Sequence, residues 1–361
     1  QTFFVDGKIP GAGAARRNER LGDTLAHLAE AGFEDFYRGD VGREIAGDLE
    51  RIGSPVLRED LARYRAVLRE PLRLDLPGRA LINTPPPTVG LISLVTLGLF
   101  ERLGVARPES FEHIHGLVEA SKRALALRDR ACVDFDAPRP DPASFLSSKF
   151  LEREAAKIDM KRAAAWPLPP EEGDTIWMGA IDASGLAVSY IQSLFWEYGS
   201  GCVLPATGIL LQNRGVSFSL DAAHPNALAP GKRPMHTLNA PLCVFDDGRV
   251  MSYGSMGGDG QPQFQAQILS RYMFSGNVAS AIDAPRFRFD KRWGAPRATL
   301  KLEERFDPSI VARLAAVGHE IEMTGEAYGD QFGHAGMLAR HRDGRIEAAH
   351  DPRSDGGAAG M

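Results

Sequence analysis

EEGDTIWMGAID, residues 171–182, changes character in its middle: four polar or flexible residues give way at Thr175 to the alternating apolar run of a strand. Just upstream lies the proline-bound segment WPLPPEEGD (166–174), which regular structure cannot run through. Just downstream, 175–182 and 186–195 flank the turn Ala183-Ser184-Gly185 and predict a β-hairpin. Thr175 thus opens a strand directly behind an exposed linker. Were the Asp174–Thr175 bond cut, Thr175 would carry a hydroxyl and a free α-amine on one residue. An α-amine titrates near ~7.7–8.0, so it can act as general base to that hydroxyl without a histidine. On composition alone, a threonine that merely starts a strand remains the simpler account.

Toward the N-terminus the pattern is helical. Leu21, Leu25 and Leu28 recur at helical spacing up to Gly32, and Val41, Ile45, Leu49 and Ile52 do so up to Gly53. A shorter helix is expected near 60–68, strands at 72–76 and 80–82, and, beyond Pro85-Pro86-Pro87, a buried helix over about 88–103. The next helix begins near Ser110 with Ile114, Leu117 and Val118 on one face. His113 and His115, two residues apart, do not share a helical face and are expected to be solvated rather than metal-bound. From Asp134 to Asp174 a proline-rich, charged, weakly helical stretch reads as an exposed, flexible connector. Beyond the hairpin come a second one (242–245 and 250–253), a helix over 261–274, a strand at 299–302, a helix at 308–317, a strand at 320–323 and a last hairpin turning at Asp343-Gly344. Helices and strands in blocks describe a layered α+β sandwich rather than alternating βαβ units.

With 361 residues, 43% hydrophobic and 25% charged, the composition excludes disordered, collagen-like and coiled-coil chains. A net charge of −5 gives no positive field for phosphate backbones or anionic lipids, so neither nucleic acid nor membrane is an expected partner. The longest apolar run, VGLISLVTLGLF (89–100), is too short to span a bilayer, and no targeting signal opens the chain; a cytoplasmic location is expected. Cys132, Cys202 and Cys243 have neither metal nor disulfide spacing and are expected to be reduced and buried. No GxSxG, HExxH, Walker or dinucleotide motif is present, so neither cofactor nor metal is expected. One glycine pair stands out: Gly257 and Gly258 lie between a strand and a helix, where backbone N–H groups would suit an oxyanion, although a tight turn alone explains them too.

Thr175 with its hairpin, GSGCVLPATGILLQN (199–213), GKRPMHTLNAPL (231–242), GSMGG (254–258), APRF (284–287) and DPRSDGGAAG (351–360) occur in this order. With FFVDGKIP (3–10), GFEDFYRG (32–39) and TPPPTVGL (84–91), they resemble the gamma-glutamyltranspeptidase family over nearly the whole chain. The resemblance implies a four-layer αββα sandwich of the N-terminal nucleophile hydrolase type. It implies a precursor that cuts itself between Asp174 and Thr175 into a large-subunit part, 1–174, and a small catalytic subunit, 175–361. It also implies that the large subunit extends ahead of residue 1 and there carries a carboxylate-binding arginine. Thr175 would be the nucleophile, Ser193 the hydroxyl that hydrogen-bonds it, and Gly257 and Gly258 the oxyanion donors. Pairing of the processed units into a homo-oligomer is left open.

The departures from the family concern the substrate. Phe195 stands where the family has a glutamyl-binding asparagine, Arg214 at its glutamine, Ser217 at the aspartate that pairs with the α-ammonium, and His236-Thr237 at its serine pair. Losing the carboxylate meant for an ammonium while gaining Arg214 and His236 favours a small acid without an amino group. HTLN with GGDGQPQ is similar to the oxamate amidohydrolase subgroup, which implies oxamate as the small-molecule substrate. A glutathione hydrolase or transpeptidase, an acylase for a larger amide, and a self-processing scaffold without turnover remain as alternatives.

Overall fold

The computed structural model describes residues 2–5, 7–166, 174–290 and 298–360. Its chain divides into two compact units, 1–68 with 196–213 and 69–195 with 214–361. The first contains helices α1 (Glu19–Ala31), α2 (Asp35–Arg38), α3 (Asp40–Arg51) and α4 (Arg58–Arg63); of the expected stripes, Leu28, Val41, Ile45 and Leu49 are buried whereas Leu25 and Ile52 are exposed, and the helix expected near 60–68 ends at Arg63. Leu28, Val41, Ile45 and Leu49 pack around Leu204 from the loop 196–213. Two polar ties hold that loop: buried Asp48 accepts from the Ala206 N–H (2.9 Å), and Thr24 Oγ1 donates to the Thr207 carbonyl (2.9 Å). Cys202 in this loop is exposed, contrary to expectation, because the loop buries Leu204 and Thr207 and turns Cys202 outward; Cys132 and Cys243 are buried, and burial pushes both thiols up to about 12.

The second unit begins with strands β1 (Leu72–Leu76) and β2 (Arg79–Asn83), then helices α5 (Gly90–Arg102), α6 (Phe111–Leu125), α7 (Arg128–Ala131) and α8 (Ser148–Ala155). The hairpin strands β3 (Asp174–Ile181) and β4 (Ala187–Phe195) follow, then β5 (Leu242–Phe245) and β6 (Val250–Ser255). Helices α9 (Gln261–Ser275) and α10 (Val278–Asp283), strands β7 (Phe287–Asp290) and β8 (Thr299–Leu302), helix α11 (Pro308–Ala316) and strands β9 (Ile321–Met323), β10 (Ala335–Arg340) and β11 (Ile346–His350) complete it.

Six strands form one antiparallel sheet in the order β1-β2-β5-β6-β10-β11. The predicted hairpins are all in place, and β2, which precedes residue 174, pairs with β5, which follows it. On one face lie α5, α9 and α10, with α6 and α8 packed on α5; the β3–β4 hairpin covers β6 and β10 on the other. Helix α5 is apolar all round and correspondingly buried all round. Along β6 and β10 the two faces alternate: Met251, Tyr253, Met337 and Ala339 join the core, whereas Ser252, Gly254, Gly336 and Leu338 receive the hairpin. The hairpin's other face leaves Ile176, Met178, Val188 and Tyr190 about half exposed. A separate small sheet pairs β7 with β8 antiparallel and β8 with β9 parallel.

Two polar devices complete the packing. Gln263 and Gln267 of α9 pair by both amide groups with the backbone of Phe289 and Phe287 (2.8–3.0 Å), serving as the strand that the β7 edge lacks. In a fully buried quartet, Arg353 makes a two-pronged bond to Glu303 (2.5 and 2.6 Å) and Arg286 pairs with Asp351 (2.5 Å). Asp351 also accepts from the Ala335 N–H (2.6 Å). The APRF and DPRS motifs are thus mutual partners in the core.

His113 and His115 are fully buried, against the expected solvation, because α6 is covered by α5, α9 and α11 on more than one face. His113 Nδ1 accepts from the Glu109 N–H (3.2 Å), leaving Nε2–H to donate to Ser270 Oγ (3.0 Å). Burial and Arg271 push it down to about 4 against the pull of Glu109; burial, Lys122 and His115 push His319 down to about 3. Unfolded, these rings bind protons near pH 6.5, so the unfolded chain gains protons first as the pH falls. Their contribution to stability is whole above about pH 6.5 and is lost toward pH 4, at about 1.4 kcal/mol per pH unit for each ring. The urea midpoint should therefore drop between pH 7.5 and pH 5, above the range where carboxylates protonate, and His113→Gln should flatten that slope by about one proton. Equal midpoints at the two pH values would contradict neutral burial.

The connector is not uniformly loose. Ser148–Ala155 is helical with Leu151 fully buried, and 159–166 is fastened to the core, as detailed below. Residues 167–173 lie outside the described residues. No helix among the described residues is long and apolar enough to cross a membrane.

Candidate active site

Register places the nucleophile candidate. Asp174 pairs with Phe195 and Ile176 with Gln192, so a bulge sets Thr175 across from Ser193 and Leu194. Ser193 Oγ accepts the Phe195 N–H (2.7 Å); a hydroxyl that accepts there can still donate its own proton. Two residues past Thr175, the Trp177 indole lies on a paired-glycine seat. A Cβ at Gly254 or at its cross-strand partner Gly336 would come within 2.2 and 2.3 Å of that ring, and Trp177 Nε1 donates to Ser189 Oγ (2.9 Å). Next along, Gly179 faces Ser252. Since 177 lies over 254 and 179 over 252, β3 and β6 run in opposite senses. After Met256, β6 leads into the Gly257-Gly258 turn, so this turn continues the strand whose Gly254 seats Trp177.

That turn requires glycine. Gly257 (φ 125°) and Gly258 (φ 55°) both occupy the left-handed region, and a Cβ at Gly257 would lie 2.7 Å from Phe264. It leads through one 3₁₀ turn into the N-terminus of α9, where backbone N–H groups and the helix dipole favour negative charge. Two buried constructions hold it. Asp259 forms an ion pair with Arg128 of α7, both side chains almost fully buried. A chain of amides runs from Asn83 to Asn239 (3.1 Å) and on to Gln261 (3.1 Å), the first residue of α9. None of these supports has a local sequence signal: Arg128 and Asp259 are 131 residues apart, and Asn83 and Asn239 are 156.

The remaining candidates gather around Arg214. It opens a short 3₁₀ turn, 214–217, that also carries Ser217, and both are nearly buried. The Arg214 guanidinium sits 5.0 Å over the Phe195 ring, a cation–π distance. Phe195 itself has φ 82°, a backbone state unusual for a bulky residue and ordinary for asparagine. His236 is placed by its N–H bond to the Pro87 carbonyl (3.1 Å); burial and the nearby Arg214 cation push it down to about 4, so it is neutral at pH 7. His236 Nδ1 and Thr237 Oγ1 are buried without a hydrogen-bond partner among the described residues, which leaves polar groups for a ligand to meet. Ser217 and Arg128 line a cavity of about 180 Å³ with His224 and Met235.

One group among the described residues has metal-ligand composition: His115, Glu119 and His319. Lys122 Nζ stands 2.7 Å from Glu119 Oε1, where a cation would have to sit, so the protein supplies its own positive charge.

The family model for gamma-glutamyltranspeptidase matches residues 1–361. The chain belongs to that family. Within the family, it is 45% identical over 361 residues to the oxamate amidohydrolase proenzyme of Klebsiella pneumoniae, covering 100% of this chain and 68% of that protein. It is 36% identical to the glutathione hydrolase-like YwrD proenzyme of Bacillus subtilis, covering 99% of this chain and 69% of that protein. The solved cephalosporin acylase of Bacillus halodurans superposes with a TM-score of 0.89 at 31% identity, covering 99% of this chain and 65% of that one. The chain spans about two thirds of the length of each. The fold is accordingly the α+β sandwich of the N-terminal nucleophile hydrolases, with a helical layer, the six-stranded sheet and the β3–β4 hairpin as its layers in this chain.

Proposed function

We propose that the chain is a self-processing amidohydrolase whose substrate is a small carboxylate-bearing amide, oxamate above all. One observation carries the substrate: Arg214, stacked on Phe195 and adjoining neutral His236, makes an electropositive corner where the family holds a glutamyl group. Membership of the family and the Klebsiella relative support amide hydrolysis.

In the precursor, Thr175 Oγ attacks the Asp174 carbonyl carbon. The C–N bond breaks, the Thr175 amine is freed, and water hydrolyses the resulting ester to leave an Asp174 carboxylate. On oxamate, that amine takes the hydroxyl proton while Oγ attacks the amide carbon. The Gly257 and Gly258 amides hold the oxyanion, a role worth ~10²–10³ in rate per donor. The proton passes to the leaving nitrogen, ammonia departs, and water converts the oxalyl ester to oxalate. Arg214 and the His236 and Thr237 side chains hold the substrate carboxylate, and Ser217 offers no negative charge to an α-ammonium. The deciding assay compares ammonia release from oxamate with aniline release from a γ-glutamyl-anilide and cleavage of a glutaryl-amide, using the processed chain. Oxamate is expected to turn over fastest; a faster glutamyl or glutaryl substrate would overturn the assignment.

A further inference from the structure

The segment before the cut is where the sequence reads most solvated. Asp159, Lys161, Arg162, Ala164 and Ala165 do expose their side chains, yet the backbone between them is gripped from below. Lys122 Nζ, nearly buried on α6, donates both to Glu119 Oε1 (2.7 Å) and to the Ala164 carbonyl (2.7 Å). Glu119 Oε2 accepts the Ala164 N–H (3.1 Å), so a single buried ion pair holds both backbone groups of one residue. His115 Nε2 lies 3.0 Å from the Asp159 carbonyl, which can only accept; His115 is therefore protonated there, and its Nδ1 accepts from His319 Nε2 (2.9 Å). The Ala163 N–H reaches the Val317 carbonyl (2.8 Å), and the Trp166 ring packs on Phe289 at 4.4 Å.

These groups take no part in the chemistry described above, and four polar side chains with almost no solvent contact are costly unless they satisfy something. What they satisfy is a stretch of backbone that has no strand partner, ending eight residues before Asp174. Beyond it, β3 is fixed by Trp177 on its glycine seat. The chain entering the scissile bond is thus pinned on both sides.

We propose that the buried Glu119–Lys122 pair, with His115 and His319, is an anchor that positions the chain for cleavage at Asp174–Thr175 and keeps the large fragment attached at Trp166 afterwards. The inference rests on the self-processing reading. Its physical content is orientation: attack by Thr175 needs the Asp174 carbonyl held in one place, and a chain anchored on one side only presents that carbonyl less often, lowering the effective concentration of the two groups.

The test is the rate at which purified full-length precursor splits. Lys122→Met combined with Glu119→Leu removes the grip without leaving a buried charge unpaired, and should split at least tenfold more slowly. A double change at the partly buried pair Arg79–Glu101, Arg79→Met with Glu101→Leu, controls for general loss of stability and should split at the wild-type rate. Lys122→Arg, which keeps a cation and its donors, should restore splitting to within about threefold, and turnover of oxamate per processed molecule should be unchanged in all three. In processed wild type, the Ala163 and Ala164 amides should remain protected from hydrogen exchange. Equal splitting rates in the anchor and control variants, or loss of that protection on cleavage, would overturn the anchor alone. A wild-type chain that never splits would overturn the self-processing reading and the anchor together.

Discussion

Thr175→Ala is expected to give one uncut chain of 361 residues where the wild type gives two fragments of 174 and 187, and no measurable amide hydrolysis. The effect is large because one hydroxyl is asked to do two jobs. Without it there is no atom to attack the Asp174 carbonyl, so the α-amine that would serve as base is never released. Removing a nucleophile that acts as a unit with its base typically costs several powers of ten, ~10⁶ in the best-studied serine case. Thr175→Ser retains the hydroxyl and should still split and turn over, more slowly. Mass spectrometry of the purified proteins reads the outcome directly through the N-terminal residue of the smaller fragment. If Thr175→Ala still splits between residues 174 and 175, another group performs the cut and Thr175 loses the first role. If a separately cleaved Thr175→Ala chain still hydrolyses oxamate, it loses the second.

The break at Thr175 was legible because side-chain composition changes there, and the hairpin because its turn and alternation are local. The same holds for the Val41, Ile45 and Leu49 stripe of α3 and the uniformly apolar α5. What could not be read are contacts whose two halves lie far apart in the chain. His115 looked solvated since its partner, His319, is 204 residues away, and α6 buries faces its own pattern presents as polar. The stretch 159–166 looked loose because sequence shows side chains, most of which are exposed, and not the backbone groups that Lys122, Glu119 and His115 hold. Gln261, Gln263, Gln265 and Gln267 gave no sign of being buried, because the groups their amides meet, Asn239, Ser93 and the backbone of Phe287 and Phe289, lie elsewhere in the chain. The position of Phe195 was plain from the resemblance; that its backbone keeps the left-handed state an asparagine would favour, and that its ring lies under Arg214, needed coordinates.

Arg214 is where the substrate assignment is most exposed to refutation. Arg214 is 8% exposed and its guanidinium is stacked on Phe195, so a carboxylate that reaches it leaves water and meets a planar fork able to bond both oxygens. Truncation to alanine would leave that carboxylate desolvated and without its cation, a loss of about 3–5 kcal/mol for a buried pair. In kinetics this is a fall of ~10²–10³ or more in kcat/KM for oxamate. Arg214→Lys should recover only part of it, because an ammonium is a point charge on a flexible stem and cannot make the two-pronged contact. Phe195→Asn tests the platform separately: asparagine accepts φ near 82°, so the backbone and the Ser193 contact survive while the ring beneath Arg214 is lost. That variant should raise KM for oxamate, with the rate of self-cleavage left within a fewfold of wild type. Since Asp174 supplies the acyl group in processing, Arg214→Ala should also split normally, which separates loss of substrate binding from loss of the nucleophile. Undiminished oxamate turnover in a fully split Arg214→Ala protein would remove Arg214 from the substrate site and leave the carboxylate to His236 and Thr237.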